Sequence, residues 1–113
     1  MKTIKIKSLI IDDDSLVTIL LQKKLNEYLP ELTTSSIAST GTEALQKIKT
    51  IQPDLIFLEI ELNDMTGFEM LDQLGEINFQ TIIISSYSQY AIKVIRFNAF
   101  DFLVKPINLK ELR

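Results

Sequence analysis

Cysteine is absent from the 113 residues, which excludes disulfides and cysteine-ligated zinc or iron–sulfur centres and makes a cytoplasmic setting the natural expectation. Histidine is absent as well. That removes imidazole general bases, Ser-His-Asp triads, histidine-ligated metals and phosphohistidine within the chain, because no other side chain titrates near neutrality unaided. Any chemistry must use carboxylates, hydroxyls, Lys or Arg. Positive charge is not in excess either: twelve Lys and Arg stand against fifteen Asp and Glu, a net charge of −3. Such a domain does not by itself attract nucleic acid or an anionic membrane. Long apolar runs are missing. The longest, Leu55 to Leu58, is far short of a membrane span, and Lys2, Lys5 and Lys7 alternate with Ile4 and Ile6 where a signal peptide would have an apolar core. No membrane contact is expected.

What is present fits one ordinary globular domain: 46% of residues are hydrophobic and 24% charged. A chain of this size buries roughly two-thirds of its unfolded surface, enough for a core without a metal or disulfide staple.

Ser8-Leu9-Ile10-Ile11 is a short apolar run ending in Asp12-Asp13-Asp14-Ser15, the pattern of a strand buried on both faces that enters a loop. The period then changes. Val17, Leu21, Leu25 and Tyr28 recur at helical spacing up to Pro30, with Asp14 or Ser15 as the N-cap. Thr33 to Ala38 reads as a strand. Thr40-Gly41-Thr42-Glu43 reads as a capping box opening a helix with Ala44, Leu45, Ile48 and Ile51 inside, stopped before Pro53. Leu55 to Leu58 is a buried strand that ends in Glu59. Thr66 caps a helix from Gly67 to about Leu74. Thr81 to Ile84 is a third buried run ending at Ser85-Ser86, and Ser88 opens a helix through Ala91, Ile92, Ile95 and Phe97 to Asn98. Phe102-Leu103-Val104 is the last strand, closed by Lys105-Pro106. Strict alternation of strand and helix implies βαβ units with right-handed crossovers, hence an α/β fold with one mostly parallel sheet covered on both faces.

In open parallel sheets, ligands gather beyond the carboxyl ends of the strands, beside the point where strand order reverses. Those ends here carry Asp12 and Asp13, Glu59, Ser85 and Lys105. Crowded carboxylates repel, and a hard cation with oxygen ligands relieves them. Magnesium suits because it takes one or two carboxylates, a backbone carbonyl and several waters. Lys105 and Ser85 could then hold the oxygens of an incoming phosphoryl group.

At these residues the sequence resembles a response-regulator receiver domain of two-component signalling, over nearly its whole length. The resemblance rests on Leu9 to Asp14, Pro53 to Ile60, Gly67-Phe68-Glu69, Ser85, Ala99 to Phe102, and Lys105-Pro106-Ile107, in order and at ordinary spacings. The stretch from Tyr87 to Pro106 is similar to receivers joined to LytTR-type DNA-binding domains. The resemblance implies a flavodoxin-like, doubly wound sheet of five parallel strands in the order 2-1-3-4-5. It implies that Asp13 is a direct magnesium ligand, that Asp12 acts mainly through water, and that the backbone carbonyl of Glu61 is another ligand. It makes Ser85 the hydroxyl that contacts the phosphoryl group, Phe102 the aromatic switch, and Lys105 the lysine preceding a cis peptide at Pro106. The partners implied are a sensor histidine kinase or another signalling protein.

The departure from the pattern that matters most is one residue. The family takes phosphate on an Asp, and this chain has Glu59 there. The added methylene moves the carboxylate by more than ~1 Å, when a miss of that size can cost about 100-fold in a positioned reaction. Impaired phosphorylation is the consequence expected, with Glu59 itself supplying a negative charge near the phosphoryl position. Asn63-Asp64-Met65 also replaces the usual Pro-Gly-type turn, which predicts a more mobile loop with one more acid near the site.

Three rival readings use the same residues. A haloacid-dehalogenase-like phosphohydrolase would make Asp12 of Asp12-Asp13-Asp14 a nucleophile, an FMN binder would share the fold, and an interaction module would have lost its metal. Lys93 and Arg96 read first as a solvated face, with a homodimer or partner surface including Asp101 as the functional alternative. Residues 1–113 read as one receiver domain whose last helix is truncated at Leu109 to Arg113, so an output domain is expected beyond the chain end. DNA would be contacted only through it.

Overall fold

The structure is a computed structural model that describes residues 6–30, 32–85 and 101–104. Apolar residues in runs too short for helices make the strands β1 (Ile6–Ile11), β3 (Leu55–Glu59) and β4 (Gln80–Ser85), joined by β2 (Leu32–Ala38) and β5 (Asp101–Val104). All neighbours are parallel, in the order β2-β1-β3-β4-β5. Three helices are described: α1 (Ser15–Tyr28), α2 (Gly41–Ile51) and α3 (Gly67–Leu74). The helix expected from Ser88 to Asn98 and the final helix fall outside the described residues.

Because successive strand residues point to opposite faces, the buried runs feed two separate clusters. Leu9, Ile11, Ile56, Leu58 and Ile83 pack with Ala44 and Ile48 of α2 and Phe68 and Leu71 of α3. Ile10, Phe57, Ile82 and Ile84 pack with Leu21 and Leu25 of α1. Helices therefore cover both faces. Each fully buried Leu, Ile or Phe stabilises the fold by about 1.5–3 kcal/mol before entropy is counted, so this double layer is what fixes the strand ends in space.

α1 follows its sequence reading in part. Leu21 and Leu25 are buried with Thr18, whereas Tyr28 is about half exposed and Leu16, Ile19 and Leu20 face solvent. Thr18 is buried at low cost because its hydroxyl donates to Ser15 O at 2.8 Å. The helix thus meets the sheet through the Leu21 and Leu25 stripe that its spacing predicts, with Thr18 rather than Tyr28 completing it.

The caps are better matched. Asp14, of the two candidates, caps α1, its Oδ1 accepting from Leu16 N at 3.0 Å and Val17 N at 3.3 Å. Thr66 and Glu69 form the reciprocal capping box of α3. At α2 the box is shifted: Thr40 Oγ1 accepts from Glu43 N at 3.0 Å, but the Glu43 carboxylate accepts from Ser39 N at 2.7 Å, one residue further back. The Ser39 N–H, with help from the Lys47 ammonium, holds the Glu43 carboxyl below the usual glutamate value.

Candidate functional site at the carboxyl edge

Register builds the site. Ile11 pairs with Leu58, so Asp12 and Glu59, each one residue further on, are neighbours across adjacent strands whose backbones run about 4.8 Å apart. Glu59 in turn pairs with Ile84, and Ser85 with Val104. The backbone of β4 therefore brings Ser85 to the same edge as the acids. Lys105, next after Val104 in the sequence, lies outside the described residues. Phe102 pairs with Ile83, which places it inside β5 and away from the rim.

Asp12 is only 1% exposed and Glu59 only 7%. One oxygen of each, Asp12 Oδ2 and Glu59 Oε2, is sealed from solvent. Asp12 N donates to Ala38 O at 3.0 Å, which carries the β1–β2 ladder one step past the end of β1. Its Oδ1 then accepts from Asp14 N at 2.9 Å, a turn in which an Asp side chain bonds the backbone two residues on. That turn aims Asp14 at the N-terminus of α1 and leaves Asp13 half-buried between the two. Acids held this far from water require positive charge or donated hydrogen bonds nearby, since burying charge is costly.

The loop after β3 is compact. Gly67 N donates to Ile60 O at 2.6 Å, and Glu61 bridges Thr66 in antiparallel fashion. Gly67 has to be glycine, because a Cβ there would lie 2.7 Å from Glu59 O and 3.0 Å from Leu58 Cγ. The loop thus packs directly on the backbone that presents Glu59.

The Asn63-Asp64-Met65 turn corrects the sequence reading. Asp64 is not an extra acid in a mobile loop: Oδ1 accepts from Gly41 N at 2.8 Å, and Oδ2 accepts from Thr42 N at 2.9 Å and Thr42 Oγ1 at 2.7 Å. The Thr42 N–H, the Thr42 hydroxyl and then the Gly41 N–H lower its carboxyl from 3.8 to about 2. A carboxylate on the first amides of a helix is also favoured by the positive end of the helix dipole. No local signal announces this bond, since its partners are 22 and 23 residues away.

Among the described residues no three acidic side chains converge as a metal cage. Among the described residues no helix is long and apolar enough to cross a membrane.

Known proteins share the sequence pattern and the fold. An uncharacterized response regulatory protein of Vibrio cholerae is 32% identical over 111 residues, which cover 95% of this chain and 45% of that protein. The sensory transduction protein LytT of Enterococcus faecalis is 30% identical over 106 residues, covering 92% and 43%. The chain thus spans less than half the length of these two relatives. Among solved structures, the response regulator TrrA of Thermotoga maritima, in complex with magnesium and beryllofluoride, superposes with a TM-score of 0.80 at 28% identity. That match covers 94% of this chain and 91% of the other. The family model described as response regulator receiver domain matches residues 8–113, and with the five-stranded parallel order and the acids at its carboxyl edge it shows that this chain belongs to the receiver domains of two-component response regulators.

Proposed function

We propose that this receiver domain is a switch that works without phosphorylation of its own acceptor position. Glu59 carries the reading. It is the last residue of β3, nearly buried, and neighbours Asp12 where the family presents an Asp. Its carboxylate stands one methylene further from the backbone, and the loop at Gly67 approaches that backbone closely, since a Cβ there would lie 2.7 Å from Glu59 O. A displacement of ~1 Å costs about 100-fold where attack must be in line. The charge of Glu59 supplies part of what a phosphoryl group would, one negative charge against about −1.5 to −2. That biases the domain toward its active-like state.

Asp13, Asp12 through water, and the Glu61 carbonyl would hold magnesium, with Glu59 beside them. The ion, when bound, would neutralise the crowded acids. Ser85 and Lys105 would face the same charge, and Phe102 would report it as the switch aromatic. The partners are a sensor histidine kinase or another signalling protein, with a second copy of the chain as an alternative through Lys93, Arg96 and Asp101. DNA would be reached through an output domain of LytTR type. The phosphohydrolase alternative needs Asp12 as an attacking group, and its burial and its bond to Asp14 N count against that role.

Incubation with acetyl phosphate and magnesium, followed by intact-mass measurement, tests the proposal. The expected result is no stable adduct on this chain and a phosphoryl adduct on Glu59→Asp. A stoichiometric adduct mapped to Glu59 overturns it.

A further inference from the structure

The loop from Ile60 to Gly67 is held at both ends of its reach. Its base closes through Gly67 N and Ile60 O, and its tip is tied to α2 by the three hydrogen bonds that Asp64 accepts from Gly41 and Thr42. Met65 seals the joint, since its side chain fills the place a Cβ on Gly41 would need. α2 has its own local cap, with Thr40 accepting from Glu43 N and Glu43 from Ser39 N. Asp64 is itself exposed, so water could serve Gly41 and Thr42 in its place. The distinctive effect of Asp64 is therefore on the loop, whose tip cannot move without α2.

We propose that Asp64 is a positioning residue for the cation site, clamping the loop so that the Glu61 carbonyl stays where a divalent cation, magnesium, takes its main-chain ligand. This rests on the magnesium reading above. Magnesium demands near-ideal octahedral geometry, so a small drift of one ligand is felt. Outer-shell groups that orient ligands are typically worth about 10–100-fold in metal affinity.

Magnesium titrations followed by NMR amide shifts, on the 113-residue chain and its variants, test this. Asp64→Ala weakens magnesium binding by about 10-fold or more, Asp64→Asn by less, and Thr42→Val by least. Asp54→Ala is the control at the opposite edge of the sheet: it loses a bond from Lys7 N of 2.9 Å and leaves the affinity unchanged. If Asp64→Ala does not fold, Asp64→Asn and Thr42→Val carry the comparison. Equal magnesium affinity in the parent and the Asp64 and Thr42 variants overturns the clamp alone and leaves Asp64 a helix cap. If the parent binds no magnesium, the series is repeated on Glu59→Asp, with the same two outcomes. Absence of binding in both backgrounds overturns the clamp together with the reading beneath it.

Discussion

Asp54 and Asp12 sit just outside opposite ends of the same two neighbouring strands. Asp54 precedes β3 at the amino edge, exposed, with Oδ2 accepting from Lys7 N at 2.9 Å, its own N donating to Lys7 O, and its O accepting from Gln80 N. It stitches three strands together at their start. Asp12 follows β1 at the carboxyl edge, almost fully buried and beside a second buried acid, Glu59. An exposed acid that bonds backbone amides costs the fold little, whereas adjacent buried acids repel and need donated hydrogen bonds or positive charge around them. The amino edge also has a hollow of 560 Å³ lined by Ile48, Pro53, Asp54, Leu74 and Phe79. The rule for parallel sheets places ligands beyond the carboxyl ends of the strands, where the buried acids lie, and not at this hollow.

Magnesium breaks this comparison most sharply. A cation that binds only the folded state stabilises it by about 2.7 kcal/mol at a hundred times its dissociation constant. Thermal unfolding with and without magnesium should show that gain in the parent and in Asp54→Ala, and its loss in Asp12→Asn. Equal loss in both variants would mean that the two edges do not differ in the way their burial suggests.

Two of the three glycines give a smaller effect. Gly67→Ala drives a Cβ into Glu59 O and Leu58 at the carboxyl edge, and overpacking of that kind costs about 1–3 kcal/mol. Gly75, after α3, has φ +71° and ψ −90° and nothing within 4 Å of an added Cβ, so Gly75→Ala meets backbone strain alone, about 1–3 kcal/mol. Urea midpoints should fall for both variants. An unchanged midpoint for Gly67→Ala would show that the loop over Glu59 is looser than its contacts imply.

Much of this was legible where the signals are local. Thr66 and Glu69 sit three residues apart before an apolar run, and α3 begins and ends where that motif and Gly75 place it. Leu55 to Leu58 reads as a strand because its neighbours on both sides are polar or proline. α1 was legible in its middle, where Leu21 and Leu25 are buried as their spacing predicts, but not at Tyr28, which is about half exposed, or at Thr18, which is buried while Leu16, Ile19 and Leu20 stay in solvent. How far that stripe extends is decided by how the helix lies on Ile10 and Phe57, and no periodicity contains that. Glu59 was visible only against the pattern of a family, because nothing in its immediate sequence distinguishes a strand-terminal Glu from a solvated one. Asp64 was misplaced for the same reason in reverse: the turn is local, but the amides it accepts from belong to α2.

Asp64 also sharpens the contrast within the carboxyl edge, because it behaves there as Asp54 does at the other. Its folded value of about 2 lies below the ordinary 3.8, so its contribution to stability is complete above about pH 4 and fades as pH falls through 2. Glu43, lowered from 4.5 by the Ser39 N–H, shifts stability in the same direction. Asp64→Asn cannot titrate, so its unfolding free energy should lie below that of the parent at neutral pH and meet it toward pH 2. Urea unfolding at a series of pH values between about 2 and 7 reads this convergence. Parallel curves would mean that the Gly41 and Thr42 amides do not prefer the charged form. The Asp64 side chain would then hold the loop through hydrogen bonds that a neutral Asn accepts as well.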